Sequence, residues 1–351
     1  MNELSRLDTN NNTVSTHRDY RDISFYEQNS KIKKMPIWCD VQVEEDLYQT
    51  SDGSWKTSVT TQPHKIENYF GLYNSATDTV LPTRPVSSTY QLVPHHELFE
   101  EQAKILSQSD LPLDNITVVD KLFKGGLQAH RTIFFHDLEK QIASQKDKVL
   151  SRIDIYNSCD MSWSFQVFSG AYRNLCQNTM VFGGQKAYHQ VAKHTRNLST
   201  TAMMTKAQIG LEHWTSQSEQ MTKWNVSKMS LEQFGNILKD TICKKNTKSA
   251  KANLVKPVNE TKMNYLLDRF EKEQTELGQT MWAGYNALTH WATHTDETIE
   301  REVFDPETKQ MKLQKIRSGK STADVPSVQR TRNDEVRDVI ECDAWKELEV
   351  A

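Results

Sequence analysis

Thr117-Val118-Val119-Asp120-Lys121-Leu122-Phe123, Lys124-Gly125-Gly126 and Leu127-Gln128-Ala129-His130-Arg131-Thr132-Ile133-Phe134-Phe135 stand in succession near the middle of the chain. The outer runs are strand-like, and the paired glycines between them supply the positive φ of a tight reversal, so the stretch predicts an antiparallel hairpin. Downstream, Val149, Ser151, Ile153 and Ile155 share one face of a third strand, Val149 to Tyr156. Asn157 to Asp160 makes a turn, and Trp163, Phe165 and Val167 alternate on a fourth strand. Upstream, Ile37 to Val43 and Trp55 to Thr61 read as strands about the turn Ser51-Asp52-Gly53-Ser54. Between them and the central hairpin, Tyr90 to Val93 is strand-like. His96 to Leu106 is a helix with Leu98, Phe99, Ala103 and Leu106 on one side.

Helical spacing governs the region after the strands. Ala171 to Val181 places Tyr172, Leu175, Cys176 and Thr179 on one helical face and Arg173, Asn174, Gln177 and Asn178 on the other. Ser199 or Thr200 caps a long helix to about Trp224, striped by Met204, Ala207, Leu211, Trp214 and Met221. Ser230 caps the next helix, and a last helical region runs from Thr261, with Gly278 as an interruption, through Met281, Tyr285, Leu288 and Ala292. The fold class expected is therefore α+β: a curved antiparallel sheet packed against helices, followed by a helical C-terminal part. Residues 1–36 read as a mobile polar arm and 37–298 as the core, sheet-rich over 37–168 and helical over 169–298. Residues 299–351 read as a polar, mostly disordered tail, with Val336 to Leu348 as a short terminal helix.

Composition bounds the function. A net charge of −3 gives no global pull toward nucleic acid or anionic lipid, so a nucleic-acid site has to be a local patch. No run of 18 apolar residues is present, which excludes a helical membrane span, and no signal peptide is read at Met1 to Asn12. Five scattered cysteines (Cys39, Cys159, Cys176, Cys243 and Cys342) match neither a disulfide framework nor zinc-ligand spacing and predict the host cytoplasm.

Four segments occur in an order that resembles a known group. They are Tyr156-Asn157-Ser158-Cys159-Asp160, Arg173-Asn174-Leu175-Cys176-Gln177-Asn178-Thr179-Met180, Lys193-His194-Thr195, and Gln279-Thr280-Met281-Trp282-Ala283-Gly284-Tyr285-Asn286-Ala287-Leu288-Thr289. Over roughly Tyr90 to His294 the chain resembles the phage/plasmid-like proteins grouped as domain-of-unknown-function family 932. The turn that often reads His-Asp-Gly in that family is Cys159-Asp160-Met161 here. The resemblance implies a phage or plasmid setting and a fold, with no agreed reaction. The order of strands and helices is also similar to the core of single-strand-annealing recombinases of the RecT and Erf kind, a likeness of fold alone.

Several constellations bear on chemistry. His290 and His294 lie i, i+4 but lack a third ligand and a general base; no metal site is expected. Cys176 with His194 as base is set against the simpler reading of Cys176 as a buried hydrophobe. Gly125-Gly126 and Gly183-Gly184 lack the residues of a phosphate loop. Arg131 shares the parity of Ala129, Ile133 and Phe135, and an arginine on an apolar face needs a partner or a ligand.

Lys121, Lys124, Arg131, Arg152, Arg173, Lys193 and Arg196 are the expected nucleic-acid contacts. Lys186 and the Lys244–Lys262 run extend this basic set, and Tyr156, Trp163, Tyr172, Tyr188 and Trp282 are stacking surfaces. The bland alternative is a scatter of solvated charges around core aromatics. Asn178, Thr179 and Asn286 are expected to be structural polar ties. The leading expectation is thus a binding or annealing protein for single-stranded DNA or RNA, needing no cofactor, with no catalytic residue assigned. The alternatives are an accessory or anti-defence protein that binds a host protein, and an enzyme with an unfamiliar site around Cys176, Asn178 and His194. Homo-oligomerisation is left open.

Overall fold

The computed structural model describes residues 6–7, 13–17, 19–144, 146–173, 178–181, 189–244, 258–294, 299–305, 310–316 and 326–350. The central hairpin forms as expected. β6 (Ile116–Phe123) and β7 (Gln128–Gln141) pair in antiparallel register, Leu122 opposite Ala129 and Asp120 opposite Arg131. Gly125 and Gly126 take φ of 66° and 89°. A Cβ at Gly126 would meet the Asn29 carbonyl oxygen at 2.8 Å, so this glycine answers both to backbone conformation and to close approach.

The sheet grows from this hairpin on both sides. β8 (Lys148–Ser158) pairs with β7, and β9 (Phe165–Arg173) pairs with β8. β1 (Arg6–Leu7), β2 (Thr13–His17) and β10 (Asn178–Val181) complete the order β1-β2-β6-β7-β8-β9-β10, while β11 (His189–Ala192) pairs with the earlier part of β9. The expected helix from Ala171 to Val181 is not formed. Ala171 and Arg173 lie buried on one face and continue the ladder opposite Ser151 and Val149, so a period of two won over a period of 3.6. The sheet therefore runs well past the boundary expected at residue 168.

One face of this sheet is largely apolar. Ile116, Val118, Leu122, Ala129, Ile133, Phe135, Ile153, Ile155, Phe165 and Val167 pack under α1 (Ser24–Asn29), α2 (His95–Ser107) and α3 (Thr200–Glu212). α1 brings buried Phe25 and Tyr26, so the polar arm expected over 1–36 is packed from Tyr20 onward where it is described.

A second core assembles from α4 (Trp214–Val226), α5 (Leu231–Asp240), α6 (Glu260–Leu277), α7 (Met281–His294), α8 (Pro326–Ile340) and α9 (Asp343–Val350). Trp224, Phe234, Phe270, Trp282, Tyr285, Val336, Val339 and Trp345 are buried in it. The long helix expected from 200 to 224 is two helices that meet at His213. Ser230 caps α5 in a reciprocal pair with Gln233, and Gly278 ends α6 at φ 69°.

The expected tail holds more structure than the terminal helix read at Val336 to Leu348, which is the end of α8 together with α9. β12 (Ile299–Asp305) and β13 (Gln310–Ile316) pair, and α8 and α9 are packed helices. Val336, Val339 and Ile340 form a narrow apolar stripe, which suffices for burial despite the charged residues around it.

A separate three-stranded sheet, β3 (Ile32–Gln49), β4 (Trp55–Asn74) and β5 (Thr79–Ser87), is rooted on the core by Ile32, Leu72, Leu81 and Val86 against Tyr90, Leu127 and Cys159. Asn74 ties its root to α1, donating to the Asn29 carbonyl at 2.8 Å and accepting from the Lys31 amide at 3.0 Å.

Candidate nucleic-acid interface

Alternation places Lys121, His130, Tyr156 and Gln166 in one row across the sheet, on the face opposite α1, α2 and α3. Val119, Thr132, Asp154, Phe168 and His189 form the next row, and Phe134, Arg152 and Gly170 the third, with Tyr172 one step further along β9 on the same face. This face carries aromatic, basic and hydrogen-bonding side chains, where the other face is largely apolar around the buried Asp120–Arg131 pair and Arg173. Its centre is shielded and its rim, at Lys121, Phe123, Phe134, Trp163 and Tyr172, is half-buried.

The centre is organised by Asp154. It accepts from His130 Nε2 at 2.9 Å and Thr132 Oγ1 at 2.7 Å, and it pairs with Arg152 Nη2 at 2.6 Å. Burial works against its ionisation, but the Arg152 charge and these hydrogen bonds outweigh it and hold the carboxyl below its ordinary range. His130 stacks on Tyr156, ring centroids 4.1 Å apart, and Trp163 meets both Tyr156 and Phe123 edge-on. Tyr172 lies against Phe134 and beneath the Arg152 guanidinium.

At the Phe123–Trp163 end the face adjoins an open pocket of about 680 Å³. The β6–β7 turn lends it Lys124 and Gly125, the β8–β9 turn lends Asp160, Met161 and Ser162, and β5 lends Leu81 to Arg84. Lys124 and Met161 both take positive φ, 51° and 62°, which a non-glycine residue adopts at a cost and which clusters at functional sites. Lys124 Nζ is 3.5 Å from Asp160, and Arg84 is exposed at the pocket. The turn Cys159-Asp160-Met161 thus contributes a wall of the pocket.

The seven expected cations do not converge. Lys121, Lys124, Lys193 and Arg196 are exposed or half-buried, whereas Arg131, Arg152 and Arg173 are internal, 0 %, 5 % and 1 % exposed. Arg131 grips Asp120 through Nε at 2.7 Å and Nη2 at 2.9 Å, with Tyr26 Oη donating to the same carboxylate at 2.6 Å. Arg173 is bound by Asp147 and lies 3.3 Å from Glu273, and Trp282 Nε1 donates to Asp147 at 2.9 Å. Burial forced a carboxylate beside each guanidinium, and neither is placed to meet a phosphate. Trp282 is likewise core, and Lys186, Tyr188, Cys176 and most of the Lys244–Lys262 run lie outside the described residues.

Asn178 is a tie: its amide donates at 3.3 Å to the Asn286 carbonyl and to Thr289. Asn286 is buried but donates within its own helix, to Trp282 O at 2.8 Å, a correction to the cross-segment bond expected of it. The Thr179 side chain lies outside what is described. His290 accepts from or donates to Tyr265 Oη at 2.9 Å, and no cluster of metal-ligating side chains occurs among the described residues.

A second polar cluster was not legible in the sequence. Asn157 donates to His95 Nδ1 at 2.9 Å and to Val93 O at 2.9 Å, and accepts from His194 Nε2 at 2.8 Å. His95 Nε2 donates to Gly126 O at 3.1 Å, which fixes one neutral tautomer for each ring. Burial lowers His95 to a pKa of about 3 and His194 to about 4. Cys159 Sγ stands 3.9 Å from His95 Nε2, but burial and the Asp160 charge push its thiol well up, so the arrangement is a knot and not a nucleophile. His194 and Asn178 are bound to different parts of the molecule, and the enzyme reading around them gains nothing from the geometry.

No described helix is long and apolar enough to cross a membrane. The family model for the Domain of unknown function (DUF932) matches residues 83–335, well over half of the chain, and the chain belongs to that family. The match begins within β5, so β3 and β4 precede it. No curated protein and no solved structure matches the chain.

Proposed function

We propose that this member of the family binds single-stranded nucleic acid along the aromatic side of its eight-stranded sheet and into the adjoining pocket. A role in strand pairing during replication or recombination of a phage or plasmid follows from that reading. The observation that carries it is the chemistry of one sheet face: the half-buried Phe123, Phe134, Trp163 and Tyr172 with Lys121 at its rim, braced from beneath by the buried Tyr156 and Arg152, ending at Lys124 and Arg84. Half-buried rings stack on bases without regard to sequence, and rim cations hold the backbone. The site is local, consistent with a net charge of −3.

The test is a titration of labelled single-stranded DNA, single-stranded RNA and duplex DNA at two salt concentrations. Phosphate contacts from Lys121, Lys124 and Arg84 set a slope of log affinity against log salt of about −2, at roughly −0.7 per contact. Lys121→Gln should flatten that slope by less than one unit. Tyr172→Ala should cost about 1–3 kcal/mol, the usual loss for one stacked base. If micromolar protein in low salt shifts no single strand of either kind, the nucleic-acid reading falls and a protein partner takes its place.

A further inference from the structure

The pocket beside Phe123 and Trp163 is walled by a distortion of the three-stranded sheet. β5 pairs with β4 at Leu81 opposite Leu72 and again at Val86 opposite Phe70, so four residues, Pro82-Thr83-Arg84-Pro85, stand against the single Gly71. A bulge of this kind detaches a strand from its neighbour and re-aims its side chains. Proline at both ends fixes φ and removes a ladder donor, so the bulge is written into the sequence. Pro82, Thr83 and Arg84 all line the pocket. Arg84 is exposed there, while Thr83 Oγ1 is shielded from solvent and has no hydrogen-bond partner among the described residues. The eight-stranded sheet supplies the rest. Its β6–β7 and β8–β9 turns lie at one end, where Gln128 pairs with Ser158, and bring Lys124 and Met161, both at positive φ. Asp160 is engaged within its own turn, accepting from the Ser162 amide at 3.1 Å and from the Ser162 hydroxyl. Its side chain is 8 % exposed, against 49 % for Lys124.

These groups suit one kind of anion. The stacking rings stop at Phe123 and Trp163, where the sheet ends, and the pocket beyond them offers a guanidinium, an ammonium and an unpartnered hydroxyl. A phosphodiester inside a strand carries about one negative charge. A phosphomonoester carries about −1.5 to −2 at neutral pH, with three strong acceptor oxygens. An arginine fork pairs with two such oxygens at once, and a lysine adds a point charge. We infer that the pocket holds the phosphorylated end of a nucleic-acid strand. Arg84 and Lys124 meet the terminal phosphate, Thr83 donates to it, and the last base rests against Pro82 and Met161. This inference rests on the sheet-face reading and adds to it a preference for strand ends.

Fluorescence anisotropy of the full chain with an internally labelled oligothymidylate tests it. The forms compared are 5′-phosphorylated, 3′-phosphorylated, hydroxyl at both ends, and ligated into a circle. One phosphorylated form, at whichever end the pocket accepts, should bind about tenfold more tightly than the hydroxyl form, as one added charge-assisted contact provides. The circle should bind no better than the hydroxyl form. Arg84→Gln should bring the ratio of phosphorylated to hydroxyl affinity to about one, whatever both forms lose together. Lys121→Gln, on the sheet face, should weaken both forms alike and leave the ratio at the parent value. Arg84 is exposed, so an unchanged melting midpoint should report intact folding of its variant. Equal binding of all forms, the circle included, overturns this inference and leaves the sheet-face reading standing. A preference that survives Arg84→Gln overturns it as well. If no form binds, the sheet-face reading fails and this inference fails with it.

Discussion

Replacing Arg131 by Met tests whether the internal arginine is structural. Its guanidinium makes two hydrogen bonds to Asp120, one to the Tyr20 carbonyl at 3.3 Å and one to Gln102 at 3.2 Å, and it lies 4.4 Å from the Phe99 ring centre. Methionine fills much of the volume but leaves the Asp120 carboxylate buried with Tyr26 as its principal donor. Breaking one side of a buried pair costs about 3–5 kcal/mol. Unfolding entropy is roughly 2.1 cal/mol/K per residue, so over this chain the melting midpoint should drop by about 4–7 °C if it unfolds as one unit. Adding Asp120→Asn to Arg131→Met should recover part of that loss, because the orphaned charge is gone, and the coupling energy from the double-mutant cycle should be at least about 1 kcal/mol. The assay is differential scanning calorimetry on the four proteins, with strand binding measured alongside. An unchanged midpoint combined with lost binding would refute the reasoning, since it would mean that the arginine serves a ligand.

Other outcomes follow from the same geometry. His95 and His194 are held neutral in the fold, with pKa values of about 3 and about 4, so the unfolded chain takes up their protons first as pH falls. Stability from these two groups is full above about pH 6.5 and should decline progressively between about 6.5 and 3. Urea midpoints across that range measure this, and a flat profile contradicts the buried knot. Trp345→Ala empties a fully buried site against Trp224 and should cost about 3–5 kcal/mol by calorimetry. Asn178→Ala should cost about 1–3 kcal/mol through the loss of its two bonds to α7, and a midpoint within error of the parent would deny that tie.

Sheet and helices were legible where one period dominated. The Gly125-Gly126 turn also contained more than was read from it. Asp120 and Arg131 lie equally far from its centre, so a hairpin register alone would have named the partner that Arg131 needed. The stretch from Ala171 misled because Tyr172, Leu175, Cys176 and Thr179 fit a helix as well as Ala171 and Arg173 fit a strand, and only pairing with β8 decides between them. Charge content hid the first part of α8 and the break between α8 and α9, so that only a short helix from Val336 to Leu348 was expected there. The pocket was out of reach, because β5 and two turns meet there from three separate places in the chain. The aromatic face was half visible: Lys121, Arg152, Tyr156, Trp163 and Tyr172 were named, but alternation sends Arg131 and Arg173 to the other side.

Trp345 has a consequence for how the chain is made. The second core draws on Val149 and Ala171 and also on Val336, Val339 and Trp345, so its early parts are synthesised long before its last ones. While the ribosome reads the intervening codons, Trp224, Phe234, Phe270 and Trp282 have no complete surroundings and stay available to chaperones or to one another. The hairpin-based sheet with α2 and α3 has all of its own apolar partners once residue 211 has emerged. Folding during translation should therefore proceed in two stages, an early one for the sheet and a late one that waits for the final helix.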